Sequence, residues 1–187
     1  MSPTLSEAFA AVPRVDFLPP DQQAFAHLDE PLPIGHQATN SQPWTVRFML
    51  AHLDVQPGNR VLEVGCGSGW TSALLGYLTG PTGEVIAVDI VDELVAITRA
   101  NLAGRFGWVR CETAEPGVLG WPPAAPFDRI LVSADGGRVP PELEDQLAPG
   151  GRMILPAAHH MMAVERSDSG HLTRTRLDGL FSFVPLR

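Results

Sequence analysis

No lysine occurs among the 187 residues, and all 13 basic side chains are arginines. Schiff-base chemistry and the lysine-dependent phosphate loops are thereby excluded. The formal net charge of −8 and a pI of about 5.1 argue against a partner held mainly through phosphates, because such binding needs a basic face. Nucleic acid is therefore not an expected partner. The two cysteines, Cys66 and Cys111, are too few for a disulfide framework or a zinc site, so a reducing cytoplasm is the simplest setting. Within residues 1–20 an acidic residue, Pro3, Pro13 and Arg14 interrupt the apolar core that a signal peptide needs. No later run reaches membrane-spanning length, so no membrane partner is expected. His159 and His160 lack a third ligand cluster, and no metal site is expected.

What is present is the composition of a globular protein, 44% hydrophobic and 18% charged, at a length that supports one sizeable core. The expectation is a single domain over residues 1–187, with a monomer as the default oligomeric state. From residue 60 short β-rich runs alternate with helical stretches. RVLEV (60–64), EVIAVDI (84–90), WVRC (108–111), FDRILVS (127–133) and RMILPA (152–157) read as strands. WTSALLGYLTG (70–80), VDELVAITRANLAG (91–104) and PPELEDQLAPGG (140–151) read as helices ended by glycine. Such alternation specifies an α/β fold, a Rossmann-like, doubly wound, mostly parallel sheet. After residue 156, MMAVERSDSGHLTRTRL and GLFSFVPLR read as antiparallel edge strands. Before residue 60, SQPWTVRFMLAHLDV reads as a helix capped by Ser41, with Val46, Met49, Leu50 and Leu53 on one apolar face.

The sharpest signal is EVGCGSGW (63–70), set between a strand and a helix. Gly65, Gly67 and Gly69 let the backbone turn tightly and approach a ligand, and Cys66 supplies a small packing residue in the same turn. Asp89 closes the next strand, where a carboxylate can accept both hydroxyls of a ribose, with Ile90 beside it. Strand, turn, helix and acid in register predict an adenosine-type ligand. Glu63, before the turn, is expected to orient it or to contact the ligand. Asp135 follows strand four at the ligand-binding edge of the sheet and is a candidate substrate-site acid, or the start of an Asp-Gly turn. Trp44 and Trp70 are expected near the pocket mouth.

The glutamate before the turn, the G-x-G-x-G spacing, the acidic end of strand two and QLAPGGRMILP together resemble class I S-adenosylmethionine-dependent methyltransferases. VPRVDFLP (12–19), AHLDEPLPIGH (26–36), TNSQPW (39–44), LGWPPAAPFD (119–128), VPPELEDQLAPGGRMILP (139–156) and FVPL (183–186) narrow this. In order and spacing they look like the protein-L-isoaspartate O-methyltransferase family. The resemblance implies a substrate-side segment at 1–58, a cofactor core at 59–156 and edge strands at 157–187. It implies S-adenosyl-L-methionine as cofactor and proteins or peptides bearing isoaspartate, or D-aspartate, as acceptors. By the same resemblance Ser41 is the active-site hydroxyl. Thr39 is suited to binding the substrate carboxylate with it, and His36 and Asn40 are expected at the substrate. Relatives tend to read G-H-G-Q-T-I-S-Q-P where this chain has Gly35-His36-Gln37-Ala38-Thr39-Asn40-Ser41-Gln42-Pro43. Where they carry Gly-Asp-Gly after strand three, Glu115 stands one position off and is the expected substitute contact. A different methyl acceptor, a small metabolite or biosynthetic peptide, and a non-catalytic cofactor-binding protein are the alternative readings.

Overall fold

The computed structural model describes residues 2–186. The chain opens with α1 (Leu5–Ala11), a helix held by a full capping box in which Thr4 Oγ1 accepts from Glu7 N and the Glu7 carboxylate accepts from Thr4 N. The Pro-rich stretch that follows is shaped into a two-stranded hairpin, β1 (Leu32–Gly35) and β2 (Ala38–Asn40). Its two turn residues, His36 and Gln37, both have positive φ, at 53° and 59°. A two-residue hairpin turn demands that geometry, and a side chain at either position bears its steric cost. Replacing Gln37 with glycine is therefore expected to raise stability by about 0.5–1 kcal/mol. A urea midpoint that falls in Gln37→Gly would contradict this.

Helix α2 (Pro43–Leu53) begins two residues later than Ser41, and Ser41 is not its cap. The first turn is held instead by Asp29, whose carboxylate accepts from Trp44 N (2.8 Å) and Gln42 Nε2 (3.1 Å). This releases the Ser41 hydroxyl from a helix-capping duty. The central units then alternate as expected: β3 (Arg60–Val64), α3 (Trp70–Thr79), β4 (Glu84–Asp89), α4 (Asp92–Leu102), β5 (Val109–Thr113) and β6 (Phe127–Val132). Helix α5 is short (Pro141–Glu144), and β7 runs from Leu147 to Ala157. The Pro-Gly-Gly at 149–151 is thus a bulge inside a strand, not the end of a helix. Gly150 takes a φ of 73°, and a Cβ on Gly151 would stand 2.7 Å from the Ala148 carbonyl, so only glycine permits the kink.

The seven-stranded sheet has the order β5-β4-β3-β6-β7-β8-β9, where β8 (His160–Arg166) and β9 (Leu172–Arg176) form the expected antiparallel edge. The last run, 179–186, does not extend that edge. It leaves the sheet and folds back to pair at a single bridge, Asp135 with Pro185. Strands β3, β4 and β6 are buried on both faces, as parallel strands covered by helices must be. Val61, Val85 and Leu131 face α1–α3 through Leu50, Leu53, Leu74 and Leu75. Leu62, Ile86 and Ile130 face Leu143 and Leu147 on the opposite side. Connections from β3 run one way across the sheet to β4 and β5, and β6 lies on its other flank. That reversal opens a crevice beyond the carboxyl ends of the strands, where ligands bind in open α/β sheets. Among the described residues no helix is long and apolar enough to cross a membrane.

Candidate active site

A cavity of about 550 Å³ occupies that crevice. The volume falls in the range of roughly 300–1,000 Å³ usual for small-molecule sites. Its floor is the turn after β3. Gly65 N (2.8 Å) and Cys66 N (3.1 Å) both donate to the Val88 carbonyl, which ties the turn to the end of β4. Gly65 has a φ of 89° and Gly67 one of 57°. From β4, the Asp89 carboxylate accepts from Gly67 N (3.0 Å) and Val91 N (3.1 Å), one on each oxygen. Each oxygen retains further acceptor capacity, and Asp89 lines the cavity. The outer rim of the turn is fixed by α4, from which Thr98 Oγ1 donates to the Gly67 carbonyl (2.9 Å) and Asn101 Nδ2 to that of Ser68 (2.9 Å).

Facing this floor stands the β1–β2 hairpin. His36, Thr39, Asn40 and Ser41 line the same cavity as Gly65, Cys66, Gly67, Asp89 and Ile90, so sequence positions separated by up to half a hundred residues meet at one place. The hairpin is pinned from below by Arg14, a residue only 6% exposed. Arg14 donates to Asn40 Oδ1 (2.7 Å) and to the carbonyls of Leu28 (2.9 Å), Glu30 (2.7 Å), Asn40 (2.9 Å) and Ser41 (3.0 Å). The guanidinium also lies over the Trp70 ring, whose indole N–H donates to the Val12 carbonyl. Arg14 was not among the residues expected at the site. A charged residue within the apolar run VPRVDFLP is the signal that could have found it.

Four expected site residues lie elsewhere. Glu63 is fully buried behind the turn, accepting a short hydrogen bond from the Ser72 hydroxyl, and does not line the cavity. Gly69 is also outside the lining. A Cβ there would stand 2.8 Å from Thr98 Cγ2, so its glycine is demanded by helix packing rather than by ligand approach. Glu115 is exposed and does not line the cavity, and its carbonyl closes a turn to Val118 N. Asp135 is consumed by backbone: its carboxylate accepts from Gly137 N, Ala158 N and His159 N. Its own N–H and C=O pair with Val184 and Leu186. It is a clamp for the closing segment, and 180–186 becomes a wall of the cavity that the reading of the sequence had placed in the sheet. Phe181 of that wall packs against Phe48 and stacks with Trp44, so the aromatic side chains of α2 hold it in place. Trp44 and Trp70 both line the cavity, as expected.

Burial pushes the Cys66 thiol well above its ordinary range, with Glu63 and Asp89 adding to the effect. The thiol is therefore a packing group and not a nucleophile. Complete burial likewise pushes the Glu63 carboxyl up to about 8, against the lowering effect of the Ser72 hydroxyl and with a further push from Asp89. Glu63 is thus neutral at pH 7 in the folded protein, whereas the unfolded chain ionises it near 4.5. Because the folded state holds the extra proton, this residue's contribution is complete below pH 4.5 and is lost as pH rises toward 8. The slope approaches about 1.4 kcal/mol per pH unit within that window. Glu63→Gln keeps a partner for Ser72 and removes the titration. Urea unfolding at intervals from pH 5 to 8 should show a flatter stability profile for Glu63→Gln than for the parent, and parallel profiles would contradict the assignment.

The family model described as "Protein-L-isoaspartate(D-aspartate) O-methyltransferase" matches residues 1–187. A protein-L-isoaspartate O-methyltransferase of Anaeromyxobacter dehalogenans (strain 2CP-C) is 52% identical over 151 residues, 80% of this chain and 71% of the relative. A solved protein-L-isoaspartate O-methyltransferase superposes with a TM-score of 0.84 at 25% identity, covering 98% of this chain, which spans 61% of that one. A second, from Plasmodium falciparum and crystallised with S-adenosyl-L-homocysteine, has a TM-score of 0.84 at 22% identity over 98% of this chain and 89% of its own.

Proposed function

Since the chain belongs to the protein-L-isoaspartate(D-aspartate) O-methyltransferase family, with its class I S-adenosylmethionine-dependent fold, we propose that it esterifies the free carboxylate of isoaspartyl residues in proteins or peptides. The observation that carries this reading is the meeting of Thr39 and Ser41 with the Gly65–Ser68 turn around one cavity.

The residues fit S-adenosyl-L-methionine. Gly65 and Gly67, both at positive φ, let the turn's backbone approach a ligand closely, and Asp89 offers acceptors for ribose hydroxyls. The exposed Ile90 and Val118 add apolar surface to the cavity lining. The cofactor supplies an electrophilic methyl group on a sulfonium sulfur. The remaining work falls to the protein. The acceptor carboxylate is already ionised at neutral pH, so no general base is needed, and none of the site's side chains must hold a proton. Thr39 and Ser41 bind and orient that carboxylate through their hydroxyls, and the walls at 31–44 and 180–186 exclude water from it. Backbone restraint by Pro31, Pro33 and Pro43 and by Arg14 means that little order has to be acquired on binding.

Incubation with methyl-labelled cofactor and an isoaspartyl peptide, beside its ordinary aspartyl twin, tests the activity. Base-labile label should appear in the first peptide only, and label in neither would overturn the assignment. Ser41→Ala removes one hydrogen bond to a carboxylate, worth roughly 1.5–3 kcal/mol, and should lower turnover about 10–100-fold. Calorimetric affinity for S-adenosylhomocysteine should stay within about threefold. A loss confined to cofactor affinity would contradict the role given to Ser41.

A further inference from the structure

Asn40, the last residue of β2, is 4% exposed. Its carboxamide has a partner at each end. Oδ1 accepts from Arg14 Nε (2.7 Å), and Nδ2 donates to the Ser68 hydroxyl across the cavity floor (3.2 Å). The far ends of this chain are themselves immobilised: Arg14 holds the carbonyls of Asn40 and Ser41, and Asn101 of α4 holds that of Ser68. Both Asn40 and Ser68 line the cavity. Ile34 of the hairpin also approaches the turn, where a Cβ on Gly67 would stand 3.2 Å from Ile34 Cδ1.

We infer that Asn40 is a positioning residue, setting Ser41 at a defined distance from the cofactor turn through the Arg14–Asn40–Ser68 chain. The inference rests on the methyltransferase activity proposed above. Its physical basis is that a displacement of about 1 Å between reacting groups can cost a hundredfold in rate without abolishing binding. An apolar side chain of equal size at position 40 would fill the space, yet leave Arg14 Nε and the Ser68 hydroxyl without these partners and let the hairpin drift.

Steady-state kinetics with an isoaspartyl peptide, paired with calorimetry of S-adenosylhomocysteine, test this. Asn40→Leu should lose about 10–100-fold in kcat, while peptide KM and cofactor Kd each move by less than about threefold. Asn40→Asp should recover kcat to within about threefold of the parent. One of its oxygens can accept from Arg14 and the other from the Ser68 hydroxyl, which reverses its donor role. Ser68→Ala, which leaves the Arg14–Asn40 bond intact, should also lower kcat, and adding it to Asn40→Leu should cost nothing further. A role limited to stability would lower the unfolding midpoint without this split. The inference is overturned if Asn40→Leu keeps parental kcat, if its loss of rate tracks loss of cofactor binding, or if Asn40→Asp is as slow as Asn40→Leu. Should Asn40→Leu fail to fold, an unchanged kcat in Ser68→Ala overturns it alone. A parent protein inactive on the peptide would remove the assigned activity and this inference together. An active parent with an indifferent Asn40→Leu removes only the inference.

Discussion

Arg14→Leu is expected to lower unfolding free energy by about 3–5 kcal/mol, among the largest effects a single substitution has on a domain of this size. Five hydrogen bonds are lost at once, and four of them leave backbone carbonyls, those of Leu28, Glu30, Asn40 and Ser41, without their cationic partner. Burial of Arg14 works in the other direction, disfavouring its charged form, and Asp29 partly compensates. That desolvation cost explains why the net figure stays below the sum of five charge-assisted bonds. The loss should be read first as a lower urea midpoint. It should also be local before it is global: amide hydrogens of residues 28–41 should exchange faster than those of β3, β4 and β6, because the hairpin lies outside the seven-stranded sheet. A destabilisation below about 1 kcal/mol would mean that solvent replaces Arg14 without penalty.

The other large effect is on cofactor affinity. Asp89→Ala should weaken S-adenosylhomocysteine binding by about 100-fold or more, equivalent to two charge-assisted hydrogen bonds at the low end of their range. Part of the loss comes from within the protein. The Asp89 carboxylate holds Gly67 N and Val91 N, so its removal loosens the turn as well as removing acceptors from the cavity. Asp89→Asn should retain one acceptor and lie between the two. Calorimetry measures both, and an affinity in Asp89→Ala within about threefold of the parent would place the cofactor elsewhere.

The elements that the sequence announced are those whose causes are local. Strand β3 is a five-residue run in which Val61, Leu62 and Val64 are apolar, and α3 is closed by Gly80, so pattern and punctuation agree with their final bounds. The turn at 65–69 was legible for the same reason, since glycine at positive φ is a backbone property. Where one local signal serves two structures, the reading failed. Pro149-Gly150-Gly151 can end a helix or bulge a strand, and pairing of Phe127 with Leu147 decided for the strand. The closing run 179–186 has strand composition, but Asp135 and the Trp44–Phe48–Phe181 cluster draw it over the crevice. Site residues followed the same division. Thr39, Ser41 and Asp89, which line the cavity, each stand in a short motif that the sequence offers as a candidate. Arg14 reaches Asn40, Asn40 reaches Ser68 and Asp135 reaches His159 across 26, 28 and 24 residues of chain, and their roles depend on which carbonyls and amides the fold delivers to them. Glu63 and Glu115 show the converse: a carboxylate adjacent to a binding turn can be turned inward to a hydroxyl or outward to solvent, and the side it takes is set by packing.

In the proposed reaction the hairpin of residues 32–40 presents Ser41 to a methyl donor seated on the glycine turn. A crystal structure with S-adenosylhomocysteine measures this directly. The nucleoside is expected against Asp89 and Gly65–Ser68, with the sulfur on the side of the cavity lined by Thr39 and Ser41. A turn left empty at saturating ligand, or a sulfur directed away from Ser41, would contradict it.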